Sequence, residues 1–272
     1  VCAYTFFSQH IGVFADAIIA DCGDDGLMDL DAIAALPEDQ WDGLVVTNLF
    51  AGLRDLRRFT AFCQARGKAL IVDSAAALFG PDRERTGCPA EAISFHHTKP
   101  WGFGEGGCVV VDRADVPLVR SAINLGIGGP ELLKPFAGNG KISDIACAPI
   151  LERLERLPAW APSYQTQRAR IEGQCAEAGL RLLLEAPREA LLASIPVLAA
   201  RPVARTELAS FDFDIGKYHP PLSGIGPTAR RLFAHIVNIP SHGGMAVVDE
   251  AALASALRTI AVPPAGDAAA GT

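Results

Sequence analysis

The sequence lacks the marks of several classes of protein. Its seven cysteines are scattered and never form a Cys-x-x-Cys pair, which argues for reduced thiols in a cytoplasmic protein and against a disulfide framework or a zinc site. No apolar run reaches the roughly 18 residues of a membrane span, and no N-terminal signal peptide is recognisable. The net charge is −7 and no run of like charge stands out, so neither nucleic acid nor an anionic membrane surface is expected as a partner.

What remains is the composition of an ordinary globular protein. The 272 residues, half of them hydrophobic, are enough for a large core and a smaller lobe. Short apolar segments at 44–48 and 69–73 flank a segment with helical spacing at 54–66, an order typical of a parallel α/β sheet. The later segments are shorter and more irregular. We therefore predict a large α/β domain (1–150), a small α+β domain (151–262) and a disordered tail (263–272).

Periodicity and turn residues predict most of the other elements. Helices are expected at 7–14, 114–125, 142–157, 160–183, 228–236 and 248–260, with breaks at Pro158 and Pro162. Strands are expected at 17–21, 191–198 and 208–213. The arginines at 168, 170 and 181 are expected on a solvated helix face.

One stretch, EAISFHHTKPWGFGEGGCVVVD (91–112), stands out in the predicted sheet. It predicts a strand, a polar and Gly-rich turn, and a second strand, with Lys99 among rings and glycines. Apolar surroundings lower the pKa of a lysine and make its amine a usable nucleophile. The spacing is equally compatible with a surface hairpin that carries a lysine at its tip.

Asp73 ends the predicted strand at 69–73, and Lys99 follows 26 residues later. Ligands of open α/β sheets bind outside the carboxyl ends of the strands. A strand-end acid and a lysine are the pair that a pyridoxal phosphate (PLP) enzyme requires, because the lysine forms the Schiff base and the acid keeps the pyridine nitrogen protonated. Taken alone, Asp73 is equally a turn-forming aspartate.

Three further polar residues lie beside Lys99. Ser94 is either a phosphate ligand or a half-buried strand serine. His96 and His97 are adjacent, and on a strand they would face opposite sides, so both cannot contact one ligand. No third ligand accompanies them at metal spacing, and no metal site is expected.

Six segments of the chain resemble those of one enzyme family. SFHHTK followed by GEGG (94–107) resembles the signature of the DegT/DnrJ/StrS-type sugar aminotransferases, which are PLP enzymes of fold type I. Similar blocks are TFFSQHIGVFADAIIADCGDDGLMDLDAI, IVDSAAALFG, NGKISDIACA, and the pair KYHPPL and LFAHIVNIPSHGGM. The resemblance implies a three-layer α/β/α domain with a smaller C-terminal α+β domain. It also implies transfer of an amino group from L-glutamate to a keto sugar on a nucleotide carrier.

The resemblance also implies roles for residues at matching positions. Lys99 would form the Schiff base with PLP and carry the proton in the reaction, and Asp73 would pair with the pyridine nitrogen. Ser94 would bind the cofactor phosphate, and Phe6 would stack on the ring. His96 and His242 are expected to contact the substrate.

A glycine-rich segment at 126–141 is expected to act between subunits. From the residues alone, Gly138-Asn139-Gly140-Lys141 is either a turn or a polar finger that reaches a neighbouring subunit. The resemblance implies the second: Asn139 and Lys141 would reach the cofactor phosphate of the partner, in an obligate homodimer.

Two departures from the family pattern qualify these expectations. Ala76 stands where the family usually has Gln or His bonded to the cofactor, a loss on the order of 1 kcal/mol. The helix and Gly-Thr phosphate turn that open family members have no counterpart, which suggests a fragment or a degenerate relative. The alternative function is therefore a PLP-free scaffold or heterodimer partner. A PLP-dependent dehydratase is disfavoured, because those relatives carry histidine in place of the lysine at 99.

Overall fold

The computed structural model describes residues 15–51, 57–78, 90–222 and 226–262. Eight α-helices lie in these ranges: α1 (Leu30–Ala34), α2 (Arg57–Gln64), α3 (Val116–Ala122), α4 (Asp144–Glu155), α5 (Leu157–Glu177), α6 (Arg205–Leu208), α7 (Pro227–His235) and α8 (Glu250–Ala261). Short 3₁₀ helices cover Glu38–Gln40, Leu49–Ala51, Glu131–Phe136 and Gly243–Val247. Phe6, the helix expected at 7–14 and the tail lie outside the described residues. Within the described ranges, no helix combines the length and the apolar content that a bilayer crossing requires.

The first sheet has four strands in the order β1 (Gly43–Thr47), β2 (Ala69–Asp73), β3 (Ala90–Ser94) and β4 (Gly107–Val111). β1, β2 and β3 are parallel, and β4 runs antiparallel to β3. Alternate residues such as Val46 and Val72 are fully buried, as period-2 packing of β-branched side chains requires. The predicted strand–helix–strand unit and its parallel sheet are confirmed.

The second sheet is antiparallel, in the order β5 (Arg181–Leu182), β6 (Ser194–Leu198) and β7 (Ile236–Pro240). β7 was not predicted from the sequence. One hydrophobic core joins the two halves of the chain, because Val46 and Val72 belong to the same buried cluster as Leu232 and Ile236.

Two predicted strands are wrong. Residues 208–213 do not form a strand: α6 ends at Leu208, and turns and bends follow. The Glu207 carboxylate accepts from the backbone N of Ala204 at 2.7 Å, which favours the helical turn over an extended chain. Residues 17–21 pair only at Ala20, and the next pairing is the isolated bridge between Cys22 and Met28.

The predicted helix at 160–183 is wrong at both ends and at its expected break. α5 begins at Leu157, with Pro158 in its first turn, and continues through Pro162. Proline is tolerated in the first turn, where the N–H has no partner within the helix. The helix ends at Glu177 because Gly179 follows with φ +78°, and residues 181–182 already belong to β5.

The expectation that the arginines of α5 lie on a solvated face is also wrong for two of them. Arg168 is 8% exposed and donates to the carbonyl oxygens of Ala186, Pro187 and Ala190. Its Nε also pairs with Glu172 at 2.7 Å. Arg170 donates to the carbonyls of Met245 and Val248. These side chains tie α5 to two neighbouring loops, while Arg181 is exposed.

Asp21 links the N-terminal part of the described chain to α7. Its carboxylate accepts from the backbone N of Thr228 at 2.9 Å and of Ala229 at 3.0 Å, so it caps that helix from 207 residues away. Burial raises the pKa of this carboxyl, but the backbone N–H bonds outweigh burial and hold it below the usual value.

We expect Asp21→Ala to lower the free energy of unfolding by about 1–2 kcal/mol at pH 7, as loss of a helix cap does. Because the folded-state pKa is depressed, this contribution is fully present above the unfolded pKa of about 3.9 and is lost as the pH falls through the folded value. Urea unfolding at several pH values checks this. Asp39→Ala, an exposed aspartate whose helix has no side-chain cap, is the control and should change little. Equal losses in both variants would contradict the capping role.

Candidate active site

The chain between β3 and β4 forms a hydrogen-bonded hairpin at residues 95–106. Three backbone bonds cross it: Phe95 N to Gly106 O at 2.8 Å, His97 N to Gly104 O at 2.8 Å, and Phe103 N to Phe95 O at 3.0 Å. Two more close the turns at Lys99, from Lys99 N to His96 O and from Gly102 N to Lys99 O, each at 2.9 Å. Gly102 is required by close approach, because a Cβ there would lie 1.9 Å from the carbonyl oxygen of His96. The hairpin therefore fixes the backbone on both sides of Lys99.

Trp101 anchors the hairpin to the protein. It is 1% exposed and packs in a buried cluster with Leu78, Ile93 and Leu191. Its indole N–H donates to the carbonyl of Ser94 at 2.8 Å, so the ring satisfies its polar atom while it is buried. This anchor determines where the half-buried Lys99 side chain lies relative to the strand ends.

Polar residues gather where the parallel strands end. Asp73 is the last residue of β2 and Ser94 the last residue of β3, and Asn48 directly follows β1. The backbone N of Asn48 donates to Asp73 O, and that of Ser74 donates to Ala92 O, each at 2.8 Å. The carboxyl ends of three adjacent strands therefore form one edge, which is where ligands bind in open α/β sheets.

Asp73 and Lys99 are brought together and influence each other's protonation. Burial lowers the pKa of the Lys99 ammonium, and the charge of Asp73 opposes this shift. Burial likewise raises the pKa of the Asp73 carboxyl, opposed by the backbone N–H of Ala75 and the charge of Lys99. Both groups are thus shifted towards their neutral forms. The Lys99 amine therefore loses its proton more readily than that of a surface lysine. The neutral amine is the form that acts as nucleophile and base.

The donor set fits PLP. Asp73 is 8% exposed, and among the described residues its carboxylate has one hydrogen-bond donor, the backbone N of Ala75 at 2.9 Å. A buried carboxylate requires a cationic or N–H partner, and a protonated pyridine nitrogen is such a group. The Lys99 amine is the group that bonds to the aldehyde of PLP. The acid and the amine that PLP enzymes use therefore both lie at this edge.

Ser94 and Ala76 lie at the same edge. The Ser94 hydroxyl is half-buried and accepts from the backbone N of His96 at 3.2 Å, so its own proton is available for an acceptor such as a phosphate oxygen. Ala76 lies in the turn that follows β2 and contributes only a methyl group. No hydrogen bond to a ligand is expected from its side chain.

His96 and His97 lie side by side, contrary to the expectation from strand geometry. Their ring centroids are 4.0 Å apart, because both residues lie in the turn after β3 and not in the strand. Glu105 reaches across the hairpin, and its Oε1 lies 3.3 Å from His96 Nε2. The three side chains form one cluster on the hairpin that carries Lys99.

His219 belongs to this site but was not singled out from the sequence. Burial, and then the positive charge of Lys99, lower the pKa of His219 to about 4, so the imidazole is neutral at pH 7. Its ring centroid lies 5.5 Å from that of Phe50, which follows β1. Both residues have positive φ, +61° for His219 and +49° for Phe50. Such backbone strain costs on the order of 1–3 kcal/mol and is concentrated at functional sites.

A second lysine with a lowered pKa serves the fold. Burial and the charge of Arg205 lower the pKa of Lys217 to about 8, and Glu207 opposes the shift. Lys217 is 7% exposed, and its Nζ donates to the carbonyls of Ala234 and Ile236 at 3.0 Å. These bonds join the Lys217 segment to the end of α7 and the start of β7, and they occupy the Lys217 amine.

Other predicted site residues lie elsewhere. Asn139 and Lys141 are exposed on the segment after α3, where Lys141 Nζ donates to Asn124 Oδ1 at 2.5 Å and Asn139 bridges to Asn124. His242 is exposed at the start of the 3₁₀ helix Gly243–Val247. Within the described residues, no hydrogen bond or ion pair joins these three side chains to the Lys99 hairpin.

Comparison with known proteins identifies the fold and the family of this chain. TlmJ from Streptoalloteichus hindustanus, an aminotransferase, superposes with a TM-score of 0.80 at 18% identity, over 95% of this chain and 77% of that one. PseC from Helicobacter pylori, an aminotransferase involved in the biosynthesis of pseudoaminic acid, gives 0.77 at 14% identity over 96% and 78%. DesI, solved in the presence of its TDP-sugar product, gives 0.72 at 21% identity over 95% and 73%. The fold is that of fold type I aminotransferases. A model of the DegT/DnrJ/EryC1/StrS aminotransferase family matches residues 3–209, and the chain therefore belongs to that family.

Proposed function

We propose that this chain is a PLP-dependent aminotransferase that moves an amino group from L-glutamate to a keto sugar carried on a nucleotide. One observation carries the proposal: Lys99 and Asp73 lie together at the carboxyl edge of the sheet, and their charges interact. The nucleotide carrier is supported by the similarity to DesI with its TDP-sugar product, and a sugar acceptor by the similarity to PseC. Glutamate as donor rests on the family resemblance of the sequence.

Five positions would hold the cofactor. Lys99 would bond to it covalently, and Asp73 would accept a hydrogen bond from the pyridine nitrogen. Ser94 would donate to the phosphate, Phe6 would stack on the ring, and Ala76 would contact it through its methyl group. When bound, PLP supplies an electron sink that stabilises negative charge on the amino-acid α-carbon.

The protein's own groups have defined tasks in this reaction. The Lys99 amine would take a proton from the α-carbon of the substrate and return it at a neighbouring atom. Burial favours its neutral form, which is the form that accepts the proton. Asp73 would place a negative charge beside the pyridine nitrogen and so favour its protonated form. His219 remains neutral and adds no positive charge beside Lys99.

Further parts of the proposal rest on the family resemblance. His96 and His242 would contact the substrates, and Asn139 and Lys141 would reach the cofactor phosphate of a second copy in a homodimer. Residues 1–150 and 151–262 would form the large and small domains, with one sheet in each. A cytoplasmic location agrees with the described cysteines, none of which forms a disulfide: Cys22, Cys63, Cys108, Cys147 and Cys175.

A second candidate function is supported by Ala76. Its methyl group offers no hydrogen bond to the cofactor, so weakened PLP binding would leave a scaffold or heterodimer partner with the same fold. Titration of the protein with PLP separates the two proposals. A stoichiometric change in the visible spectrum supports the enzyme, whereas an unchanged spectrum with retained dimerisation supports the scaffold.

The proposed reaction is tested through its two halves. Protein loaded with PLP is mixed with single amino acids, and the loss of the visible band and the release of the keto acid are measured. We expect L-glutamate to react and to yield 2-oxoglutarate, and a TDP-linked keto sugar to restore the band. Restoration by a free keto sugar but not by a nucleotide-linked one would contradict the nucleotide carrier. Reaction with other amino acids but not with glutamate would contradict the donor.

A further inference from the structure

A cluster of metal-binding side chains lies on the hairpin and has no part in the proposed reaction as a cluster. His96, His97 and Glu105 each offer one ligand atom, and these atoms all lie within 4.8 Å of one another. Of these three candidate ligands, only the two histidines are neighbours in the sequence. The third ligand comes from the other side of the hairpin, where the fold brings Glu105 to His96.

The distances suit a single ion. Zinc binds imidazole nitrogen and carboxylate oxygen at about 2.0–2.2 Å in tetrahedral geometry, which separates neighbouring ligand atoms by about 3.3–3.6 Å. His96 Nε2 and Glu105 Oε1 are already 3.3 Å apart. His97 and Glu105 are exposed, with 81% of the Glu105 side chain accessible, so both side chains have room to rotate towards an ion.

The hairpin holds the backbone of the ligand residues in place before an ion binds. His97 N donates to Gly104 O, so His97 and the residue preceding Glu105 are joined across the hairpin by a 2.8 Å bond. The Trp101 anchor fixes the base of the same hairpin. Preorganisation of this kind lowers the cost of ordering the ligands when the ion binds.

Thr98 contacts the second ring nitrogen of His96. Its backbone N donates to His96 Nδ1 at 3.3 Å, and its hydroxyl lies 2.8 Å from the same atom. Nδ1 is therefore an acceptor in the metal-free protein, and the proton on Nε2 faces Glu105. Metal binding through Nε2 requires the other tautomer, in which the Thr98 hydroxyl oxygen accepts the proton of Nδ1, and the ion replaces the contact between Nε2 and Glu105.

We propose that His96, His97 and Glu105 form a binding site for one divalent ion of the zinc class. Two imidazoles and a carboxylate favour Zn²⁺, Ni²⁺ or Cu²⁺ over Mg²⁺ and Ca²⁺, which prefer oxygen ligands. Three protein ligands leave at least one coordination position for water or a small anion. The metal site shares His96 with the proposed substrate contacts, but its ligands include neither Lys99 nor Asp73, so ion binding is measurable without the reaction.

The test measures binding of the metal alone to the full chain, without PLP or substrate. Competition with a chromophoric chelator gives the affinity for Zn²⁺ and its stoichiometry. We expect one ion per chain, and affinities at least about 10-fold weaker in His96→Ala, His97→Ala and Glu105→Gln. The matched control is Glu38→Gln, which alters an exposed glutamate 3.3 Å from Arg66 and should bind Zn²⁺ as the native chain does.

A second measurement uses the native sequence and so does not depend on the folding of a variant. Co²⁺ bound by two imidazoles and a carboxylate gives visible d–d bands without the near-ultraviolet charge-transfer band of a thiolate ligand. That spectrum is the expected result. Absence of binding, unchanged affinity in Glu105→Gln, or a thiolate band from one of the cysteines would each overturn the proposal. Neither measurement depends on transamination, so its failure is distinguishable from failure of the proposed function.

Discussion

Lys99→Ala is expected to lower the rate of transamination by at least about 1,000-fold. A positioned general base alone contributes about 10²–10⁴-fold, and the lysine also supplies the covalent attachment of the cofactor. A 1,000-fold loss corresponds to about 4 kcal/mol in the activation free energy. The loss should appear in kcat, measured with saturating PLP, because the alanine variant still has the other cofactor contacts.

The matched control for this variant is Lys134→Ala. Lys134 is an exposed lysine that pairs with Glu131, and its removal should leave the rate within about twofold, as is usual for a surface ion pair. Full activity in Lys99→Ala would show that another residue carries the reaction. Equal losses in both variants would point to a general effect on stability, which thermal unfolding would reveal.

Asp73→Asn is expected to lower kcat by about 100-fold or more, or at least about 3 kcal/mol. The amide has nearly the shape of the carboxylate and still accepts from the backbone N of Ala75. It carries no charge, so it does not keep a pyridine nitrogen protonated. The visible spectrum of the bound cofactor should change together with the rate.

Asp115→Asn serves as the control for Asp73→Asn. Asp115 is exposed, and its side chain makes no capping bond to α3, so the rate should be unchanged. An Asp73→Asn variant with native kcat and a native cofactor spectrum would remove this residue from the site. A rise in KM for both substrates with unchanged kcat would assign it to substrate binding only.

The parts of the fold that local pattern determines were predicted well. β2 lies at the predicted residues 69–73, because ALIVD is a short apolar run between a glycine turn and a strand-end acid. The strand expected at 208–213 was wrong, although alternating apolar residues there favoured it. The short helix α6, capped through Glu207, extends to Leu208 and directs the chain into a turn. α5 continues through Pro162, which the sequence pattern treated as a break.

The sequence predicted which residues meet only where they lie at or soon after strand ends. Asp73 and Lys99 are separated by 26 residues, and the order of strands along the sheet predicts that they lie close together. His219 lies 120 residues beyond Lys99, and its contact with Phe50 depends on two backbone positions of positive φ. The one local signal was its place in KYHPPL, before two prolines. Glu105 was missed as a partner of His96 because the fold of the hairpin, and not spacing, joins them.

The central claim is that Lys99 carries the cofactor, and the chain has five lysines with which to test it. The protein is loaded with PLP, reduced with borohydride to make the covalent bond permanent, digested with trypsin and analysed by mass spectrometry. The account predicts the pyridoxyl label on the peptide 86–113, in which Lys99 is the single lysine. A label on Lys217, the other lysine with a lowered pKa, or no label at any lysine, would contradict it.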